Sequence, residues 1–340
     1  MTTSTPHSGG PDPVPPEAIG PPPAFDPEQA VALENLLART PSAVPFDMLP
    51  ARRASLAATE AASYDELCAD GAFAVSERVV PGPVGAPDVK LLICLPAGAA
   101  APVAALFFIH GGGMILGNRY VGLADCLAIG RELGTAVVSV EYRLAPEHPH
   151  PAPVEDCHAA LLWVADNAAE LGIDPDKVIV AGGSAGGGLA AATALLVRDR
   201  GGPRLLGQLL TCPMLDDRNN TRSARQMAGV GLCDQQANAH HWTALLGTHR
   251  GGADVSQYAA PARAKDLSAL PPAFVHVGSA ETFRDEAVDY ARRIWQAGGN
   301  AELHVWPGGF HDFTVHAPDT ALTRSATAAM VSWVRRLLAP

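Results

Sequence analysis

Two apolar runs that each end in a glycine-rich turn constrain the fold more than any other feature of this sequence. Residues 103–109 precede His-Gly-Gly-Gly at 110–113, and residues 178–181 precede Gly-Gly-Ser-Ala-Gly at 182–186. Short uninterrupted apolar runs are typical of parallel strands buried on both faces, so the turns should lie at the carboxyl ends of two strands. A run of small and apolar residues follows the second turn and predicts a helix. We therefore expect strand–turn–helix units in a parallel sheet.

Strand and helix patterns alternate from about residue 76 to the C-terminus. Predicted strands cover 77–80, 89–95, 104–109, 136–142, 177–181, 207–212, 273–277 and 302–306. Predicted helices cover 122–133, 154–171, 285–297 and 319–338. This alternation predicts an α/β fold with a mostly parallel central sheet flanked by helices.

The N-terminal part of the chain differs in composition. Residues 1–25 are rich in proline and glycine, which predicts a flexible tail. No basic segment leads into an apolar stretch there, so we expect no signal peptide and a cytoplasmic protein. A helix is then predicted with Asp26 as N-cap, Pro27 at its first position and Gln29 completing a capping box. A second helical stretch is expected at about 50–60.

One internal region interrupts the alternation. Residues 214–262 mix polar residues with glycines and contain a helical stretch at 235–246. We expect this insertion to lie over the carboxyl edge of the sheet as part of a cap. Residues 76–340 would then form one catalytic domain that carries the insertion.

Charge and cysteine content argue against several classes of function. Lys and Arg number 24 against 35 Asp and Glu, a net charge of −11, which disfavours nucleic acid and anionic membrane surfaces as partners. No stretch approaches the roughly eighteen apolar residues that a membrane span requires. The six cysteines are widely spaced without a Cys-x-x-Cys pair, so neither a disulfide framework nor a zinc site is predicted.

The Gly-x-Ser-x-Gly pattern indicates a nucleophilic serine. In such a turn the serine sits at a sharp bend between strand and helix, where flanking side chains would collide with their neighbours. Gly182 and Gly186 are therefore expected as steric requirements and Ser184 as the nucleophile. The glycines at 111–113 would supply backbone amides that hold an oxyanion. Together the turns favour acyl transfer by serine, most simply ester hydrolysis, over two unrelated glycine turns.

The general base is expected to be a histidine that follows the last strand. Among twelve histidines, His311 lies in a glycine-rich loop just beyond the predicted strand at 302–306. His304 and His316 are expected at the surface or in packing, and His110 is expected to hold its own loop by hydrogen bonds. Metal binding by the histidines at 148–158 or 240–241 is not favoured.

The acid of the triad has two candidates. Glu281 follows Gly278 by three residues, at the carboxyl end of a predicted strand, and is favoured by its loop position. Asp285 begins the next helix and is expected to cap it, but it stays open as the alternative acid. The order of serine, acid and histidine suits a catalytic triad that needs no cofactor.

Several further blocks resemble the hormone-sensitive-lipase family of α/β-hydrolases. Beside the two glycine turns, the similar segments are 141–147, 151–156, 277–286 and 309–313. The likeness extends from about Val89 to the C-terminus. It implies an α/β-hydrolase fold with a helical cap made by an N-terminal segment, here 26–75, and the mid-chain insertion.

The resemblance also implies a bacterial-type serine carboxylesterase. Its oxyanion hole would be formed by the backbone amides of Gly112, Gly113 and Ala185. The family usually has an acidic residue before the serine, Asp as the acid and glycine after the histidine, where this chain has Gly183, Glu281 and Asp312. These departures keep every catalytic atom but are expected to reshape the pocket.

Apolar side chains near the motifs predict a pocket for uncharged short- to medium-chain or aryl esters, with acyl chains of roughly two to eight carbons. The expected lining residues are Met114, Ile115, Leu215, Met227, Val230, Leu232, Trp242, Phe283 and Phe310. The expected partner is a small-molecule ester, and a homodimer stays open. An amidase or acyltransferase would use the same triad, whereas a non-catalytic receptor on this fold is disfavoured by the presence of His311.

Overall fold

Eight strands form one continuous sheet in the computed structural model, which describes residues 19–39, 44–99 and 102–339. The strands are β1 Phe73–Val80, β2 Val89–Pro96, β3 Val103–Ile109, β4 Ala136–Glu141, β5 Ile173–Gly183, β6 Gly207–Thr211, β7 Ala273–Gly278 and β8 Ala301–Trp306. Their order across the sheet is β1-β2-β4-β3-β5-β6-β7-β8. The β1–β2 and β2–β4 pairs are antiparallel, and all other pairs are parallel. The predicted mostly parallel sheet is confirmed.

Helices connect most of the strands. In the described residues they are α1 Pro27–Leu37, α2 Leu49–Ala57, α3 Glu60–Ala69, α4 Ala124–Leu133, α5 Ala152–Asp166, α6 Ala168–Leu171, α7 Ala185–Arg200, α8 Arg222–Gln226, α9 Gln235–Leu246, α10 Arg284–Gln296, α11 Phe313–His316 and α12 Ala321–Leu338. The predicted tail lies largely outside the described residues.

The sheet has an apolar core on each face because successive side chains of a strand point to opposite sides. Phe107 belongs to the core that includes residues of α5, α7 and α10. Its neighbours Leu106 and Phe108 belong to the core that includes residues of α4 and α12. Helices therefore cover both faces, as predicted, and leave the carboxyl edge of the parallel strands for the turns that follow them.

Some element ends differ from the predictions. β1 begins at Phe73, earlier than predicted, because it pairs with β2 over its full length. Most of its residues are exposed or half-buried, so the strand has only a weak apolar pattern in the sequence. The predicted helix at 154–171 is divided at Asn167, whose side-chain amide donates to the carbonyl of Trp163 at 2.8 Å. The predicted stretch at about 50–60 corresponds to α2, and a further helix that was not predicted, α3, follows it.

Helix α1 is attached to the segment that carries His311. Asp26 caps the helix as predicted, but Gln29 does not complete a capping box, because its side-chain amide donates to the hydroxyl of Thr320 at 2.6 Å. The Asp26 backbone amide donates to the carbonyl of Gly308 at 3.0 Å. The Glu28 carboxylate accepts from the Ala321 backbone amide at 2.8 Å. Helix α1 is thus bonded to both ends of the segment between β8 and α12.

Candidate active site

Ser184 occupies the sharp bend between β5 and α7. Its φ of 56° and ψ of −121° lie in a region that residues with a side chain rarely adopt. A β-carbon at Gly182 would lie 2.2 Å from the carbonyl oxygen of Gly186, and one at Gly186 would lie 2.0 Å from the carbonyl oxygen of Ile109. Both flanking glycines are therefore required by backbone contacts, as the motif predicted.

His311 lies between Ser184 and Glu281. Its Nε2 atom is 2.8 Å from the Ser184 hydroxyl, and its Nδ1 atom is 3.3 Å from a carboxylate oxygen of Glu281. The other oxygen of Glu281 accepts from the backbone amide of Gly278 at 3.4 Å. The three side chains are buried and come from the ends of β5, β7 and β8. The structure thus brings together the three residues that the sequence singled out.

Asp285, the alternative acid, lies elsewhere. Its carboxylate accepts from the backbone amide of Ser223 at 2.7 Å and pairs with Arg284. Ser223 is in the first turn of α8, so Asp285 caps that helix. The expectation that Asp285 caps its own helix was therefore wrong. Glu281 is the carboxylate that contacts His311.

The charges around His311 favour its protonated form. Burial lowers the pKa of His311, whereas the charges of Asp312 and Glu281 and the hydrogen bond that His311 donates to Glu281 raise it, and its pKa lies above the ordinary 6.5. Burial lowers the pKa of His241 to about 3, and the nearby His240 and His311 add to that effect. His241 is therefore neutral at physiological pH, while His311 is a stronger base than a free imidazole.

The turn after β3 presents backbone amides towards the same cavity. Gly112 and Gly113 have φ angles of 102° and 63°, which glycine adopts without strain. The backbone amides of Gly112, Gly113 and Ala185 donate no hydrogen bond to any described residue. His110 holds the turn through a 2.8 Å contact between its Nδ1 atom and the Gly111 carbonyl, as expected. The turn therefore leaves two backbone donors, Gly112 and Gly113, and the first residue of α7, Ala185, leaves a third.

A cavity of about 350 Å³ opens in front of Ser184. Its apolar walls include Leu36, Val44, Leu56, Phe108, Leu116, Val121, Leu209, Leu232 and Val315. Its polar walls include Arg52, Asp125, Thr211, His241, Asp312 and His316. Residues before β1 and residues of the mid-chain insertion both contribute to these walls, so the active-site cavity is closed by two separate parts of the chain.

The prediction of which residues line the cavity was mostly wrong. The described walls of the cavity do not include Met114, Ile115, Leu215, Trp242, Phe283 or Phe310, nor Met227 or Val230; only Leu232 of the expected set lines the cavity. The first six side chains are fully buried in the core, where their apolar surface is removed from water by packing. Phe283 packs against the catalytic histidine: its ring meets the His311 ring edge to face, with the ring centroids 4.9 Å apart.

The sequence analysis did not place most of the polar wall residues in the cavity. His241 was assigned only to the insertion, but it lines the cavity. His316 is exposed, in agreement with its expected surface position, and it also lines the cavity. Asp312 was noted as a departure from the family pattern, and its carboxylate lies 3.6 Å from His311 Nε2. That departure was the one signal in the sequence for a further polar group at the site.

One group of side chains in the described residues has atoms close enough to bind a metal ion. Ligand atoms of Cys212, Glu281 and His311 lie within 4.8 Å of one another. Both ring nitrogens of His311 already contact Glu281 and Ser184, so a bound metal would displace one of these contacts. The arrangement fits proton transfer between serine and carboxylate better than metal coordination.

Comparison with known proteins agrees with this geometry. A profile of the alpha/beta hydrolase fold family matches residues 106–315. Carboxylesterase NlhH of Mycobacterium tuberculosis is 36% identical over 272 residues, which cover 78% of this chain and 83% of that protein. A solved structure of bacterial heroin esterase has a TM-score of 0.85 at 40% identity and covers 93% of this chain and 99% of that chain. Esterase LipW from Mycobacterium marinum has a TM-score of 0.83 at 32% identity, with 95% and 99% covered.

The chain belongs to the alpha/beta hydrolase fold family, and the resemblance to its hormone-sensitive-lipase branch is confirmed. It is an enzyme of the carboxylic ester hydrolase class, as are the relatives that it matches over most of their length. Among its described helices, none is both long and apolar enough to cross a membrane.

Proposed function

We propose that the enzyme hydrolyses small carboxylic esters through an acyl-enzyme formed on Ser184. One observation carries the proposal: Ser184, His311 and Glu281 form an unbroken line of contacts of 2.8 and 3.3 Å, and Ser184 and His311 line one cavity. A nucleophile, a base and an orienting carboxylate in this arrangement are the parts that acyl transfer by serine requires.

The first half of the reaction forms the acyl-enzyme. His311 Nε2 takes the Ser184 proton while the serine oxygen attacks the ester carbonyl. Glu281 holds the other ring nitrogen protonated and stabilises the imidazolium ion. When the tetrahedral intermediate collapses, the bond to the alcohol breaks, and His311 gives its proton to the leaving oxygen.

The second half returns the enzyme to its starting state. His311 takes a proton from water as the water attacks the acyl carbonyl. The new intermediate then collapses to the acid, and His311 gives its proton to the departing Ser184 oxygen. In both halves the oxyanion would accept from the backbone amides of Gly112, Gly113 and Ala185. Each such donor is worth about 10²–10³ in rate.

The cavity favours small esters with apolar groups. Its volume of about 350 Å³ is near the lower end of the roughly 300–1,000 Å³ that small-molecule sites occupy. Each methylene that finds space against the apolar walls contributes about 0.8 kcal/mol of burial, and chains that exceed the space lose rate. We therefore infer a preference for short to medium acyl chains.

The residues that cover the cavity form a cap in two parts. Leu36 and Leu56 come from α1 and α2, and Leu232 and His241 come from the mid-chain insertion. A cap built from fixed helices supports hydrolysis of dissolved esters without activation by a lipid surface.

Rates on p-nitrophenyl butyrate and on the matching anilide test the proposal. We expect hydrolysis of the ester and little cleavage of the anilide. Preferred cleavage of the anilide would make the enzyme an amidase, and transfer of the acyl group to an added alcohol in place of water would make it an acyltransferase. Absence of turnover together with tight binding of the ester would make it a receptor.

A further inference from the structure

The carboxylate of Asp312 lies beside the contact between Ser184 and His311. One oxygen is 3.6 Å from His311 Nε2, the ring nitrogen that faces the serine. The other oxygen accepts a hydrogen bond from the Cys212 thiol at 2.9 Å. Asp312 is also part of the cavity wall. It is therefore the second carboxylate of the site, on the opposite side of the imidazole from Glu281.

The backbone around Asp312 is arranged for this position. Its φ of 56° is in the left-handed region, which costs most residues about 1 kcal/mol or more and which aspartate tolerates better than most. Gly183 lies beside the carboxylate. A β-carbon at position 183 would make an ordinary contact of 3.4 Å with the Asp312 oxygen and a close contact of 2.8 Å with the Thr211 hydroxyl.

We propose that Asp312 is a positioning residue that stabilises the protonated form of His311 during catalysis. The inference rests on the proposed role of His311 as the general base. Asp312 acts at Nε2, where the proton from Ser184 arrives, whereas Glu281 acts at Nδ1.

Other groups near His311 cannot replace this negative charge. The titratable and charged side chains that face His311 or Asp312, from the other elements around the site, are Arg52, Asp125, Cys212, Cys233, His241, His276, Glu281 and His316. Burial raises the pKa of both thiols and of Asp125, and it lowers the pKa of His241, His276 and His316, so each of these six is held towards its neutral form. Of the two charge effects on the pKa of His311, that of Asp312 is larger than that of Glu281.

The pH profile of kcat/KM measures this effect. Two unit charges 3.6 Å apart in an effective dielectric constant of 20 would shift a pKa by roughly three units. The Asp312 side chain keeps 22% of its surface exposed, so water screens part of that effect, and we expect about one unit. Asp312→Asn should move the acid limb of the profile about one unit to lower pH and reduce the maximal kcat, with KM for a neutral ester little changed.

Two further variants and one control distinguish the effect of the negative charge from the effect of a changed structure. Asp312→Gly tolerates the positive φ and should show the same shift of the acid limb. Gly183→Asp combined with Asp312→Gly returns a carboxylate to the same space from the opposite side, once the Thr211 hydroxyl rotates away. In this double variant the acid limb should return at least half of the way to its wild-type position. Asp319→Asn, which removes an equal charge from an exposed position, should leave the profile unchanged.

The His311 titration followed by imidazole NMR gives a second readout that does not depend on turnover. An unchanged acid limb and an unchanged His311 titration in folded Asp312→Asn or Asp312→Gly would overturn the inference. So would an equal shift in Asp319→Asn. If the wild-type protein failed to hydrolyse esters, the proposed function would be wrong, while the NMR titration would still decide whether Asp312 sets the basicity of His311.

Discussion

The His241 ring lies over Gly113 so closely that a β-carbon at position 113 would be 2.5 Å from the ring carbons Cδ2 and Cγ. His241 belongs to α9, in the mid-chain insertion, and Gly113 belongs to the turn after β3. The insertion thus contacts the turn whose amides we propose as oxyanion donors. The position of that turn depends on the insertion as well as on the sheet.

Gly113→Ala should lower kcat by about 10²–10³ with the fold retained. The added methyl group meets the His241 ring, and the backbone must also hold a φ of 63°, so the Gly113 amide moves away from the oxyanion. Initial rates on p-nitrophenyl butyrate would measure the loss.

A matched control and a double variant isolate the cause of this loss. Gly98→Ala imposes a similar φ of 70° where no atom lies within 4 Å of the new methyl group, and it should leave kcat unchanged. Removing the ring in the double variant Gly113→Ala/His241→Ala should raise kcat at least tenfold above that of Gly113→Ala. If the double variant is no better than Gly113→Ala, contact with His241 is not what restricts position 113.

Ser184→Ala should lower kcat by about 10⁴–10⁶ while the melting temperature stays close to that of the wild type. The substitution removes the nucleophilic oxygen but no backbone contact. An organophosphate should label Ser184 in the wild-type protein, as located by peptide mass spectrometry. Label on another serine would refute the assignment.

Glu281→Gln should be far more damaging than Asp285→Asn, by up to about 10⁴ in kcat. Of these two carboxylates, Glu281 contacts His311 and Asp285 does not, and an amide at position 281 disturbs the tautomer that accepts the Ser184 proton. Asp285→Asn should cost stability by weakening the cap of α8 and leave kcat near the wild-type value. The opposite order of the two kcat values in folded proteins would make Asp285 the acid.

Acyl-chain preference should peak between about two and eight carbons, with kcat/KM for p-nitrophenyl butyrate above that for the palmitate. Leu232→Phe narrows the cavity and should move the optimum to shorter chains. Leu37→Phe, on α1 but outside the cavity wall, should leave the optimum in place. A wild-type optimum on palmitate or on emulsified triglyceride would contradict the proposed size limit.

His276 should make the protein less stable in acid. Burial lowers its pKa in the folded protein from 6.5 to about 3, so below about pH 6.5 the unfolded chain binds a proton that the folded protein does not. The free energy of unfolding should therefore fall as the pH drops from about 6.5 towards 3, by up to roughly 1.4 kcal/mol per pH unit from this residue. His110, with a pKa lowered to about 4 by burial, acts in the same direction.

His276→Phe should reduce this loss, since neither ring nitrogen has a hydrogen-bond partner among the described residues and the ring packs beside Phe274 and Phe313. Urea unfolding at pH 7 and pH 5 would measure the slope. His249→Phe, at an exposed position, should leave the slope as in the wild type. An equal slope in all three proteins would show that His276 is protonated in the folded state as well.

The parts of the fold that were predicted well are those with strong local signals. β3, β7 and the second half of β5 are buried on both faces, so their apolar runs are continuous and their positions were evident, whereas the exposed first half of β5 was not predicted. Helix α9 has its predicted bounds, with Asp234 accepting from the Ala237 amide at 2.7 Å at its start and Gly247 following its end. The turns around Ser184 and Gly113 were predictable because backbone contacts permit only glycine beside them.

The walls of the cavity were not predictable, because apolar composition does not distinguish a residue of the core from one that faces a cavity. Trp242 is fully buried in the core, whereas His241, its neighbour in sequence, lines the cavity. The direction of each side chain on α9 follows from how the whole helix docks on the sheet. In the same way, the capping role expected of Gln29 failed because Thr320, almost three hundred residues away in sequence, offered a better partner.

Helix α1 lines the cavity through Leu36 and is bonded at Gly308 and Ala321 to the segment that carries His311. Access of the substrate and alignment of the base therefore depend on the same few contacts. Heating or mild denaturant that detaches α1 would open the cavity and release the histidine segment together, while the sheet remains folded. Inactivation should then precede global unfolding, so activity lost at moderate temperature would return on cooling without refolding of the core.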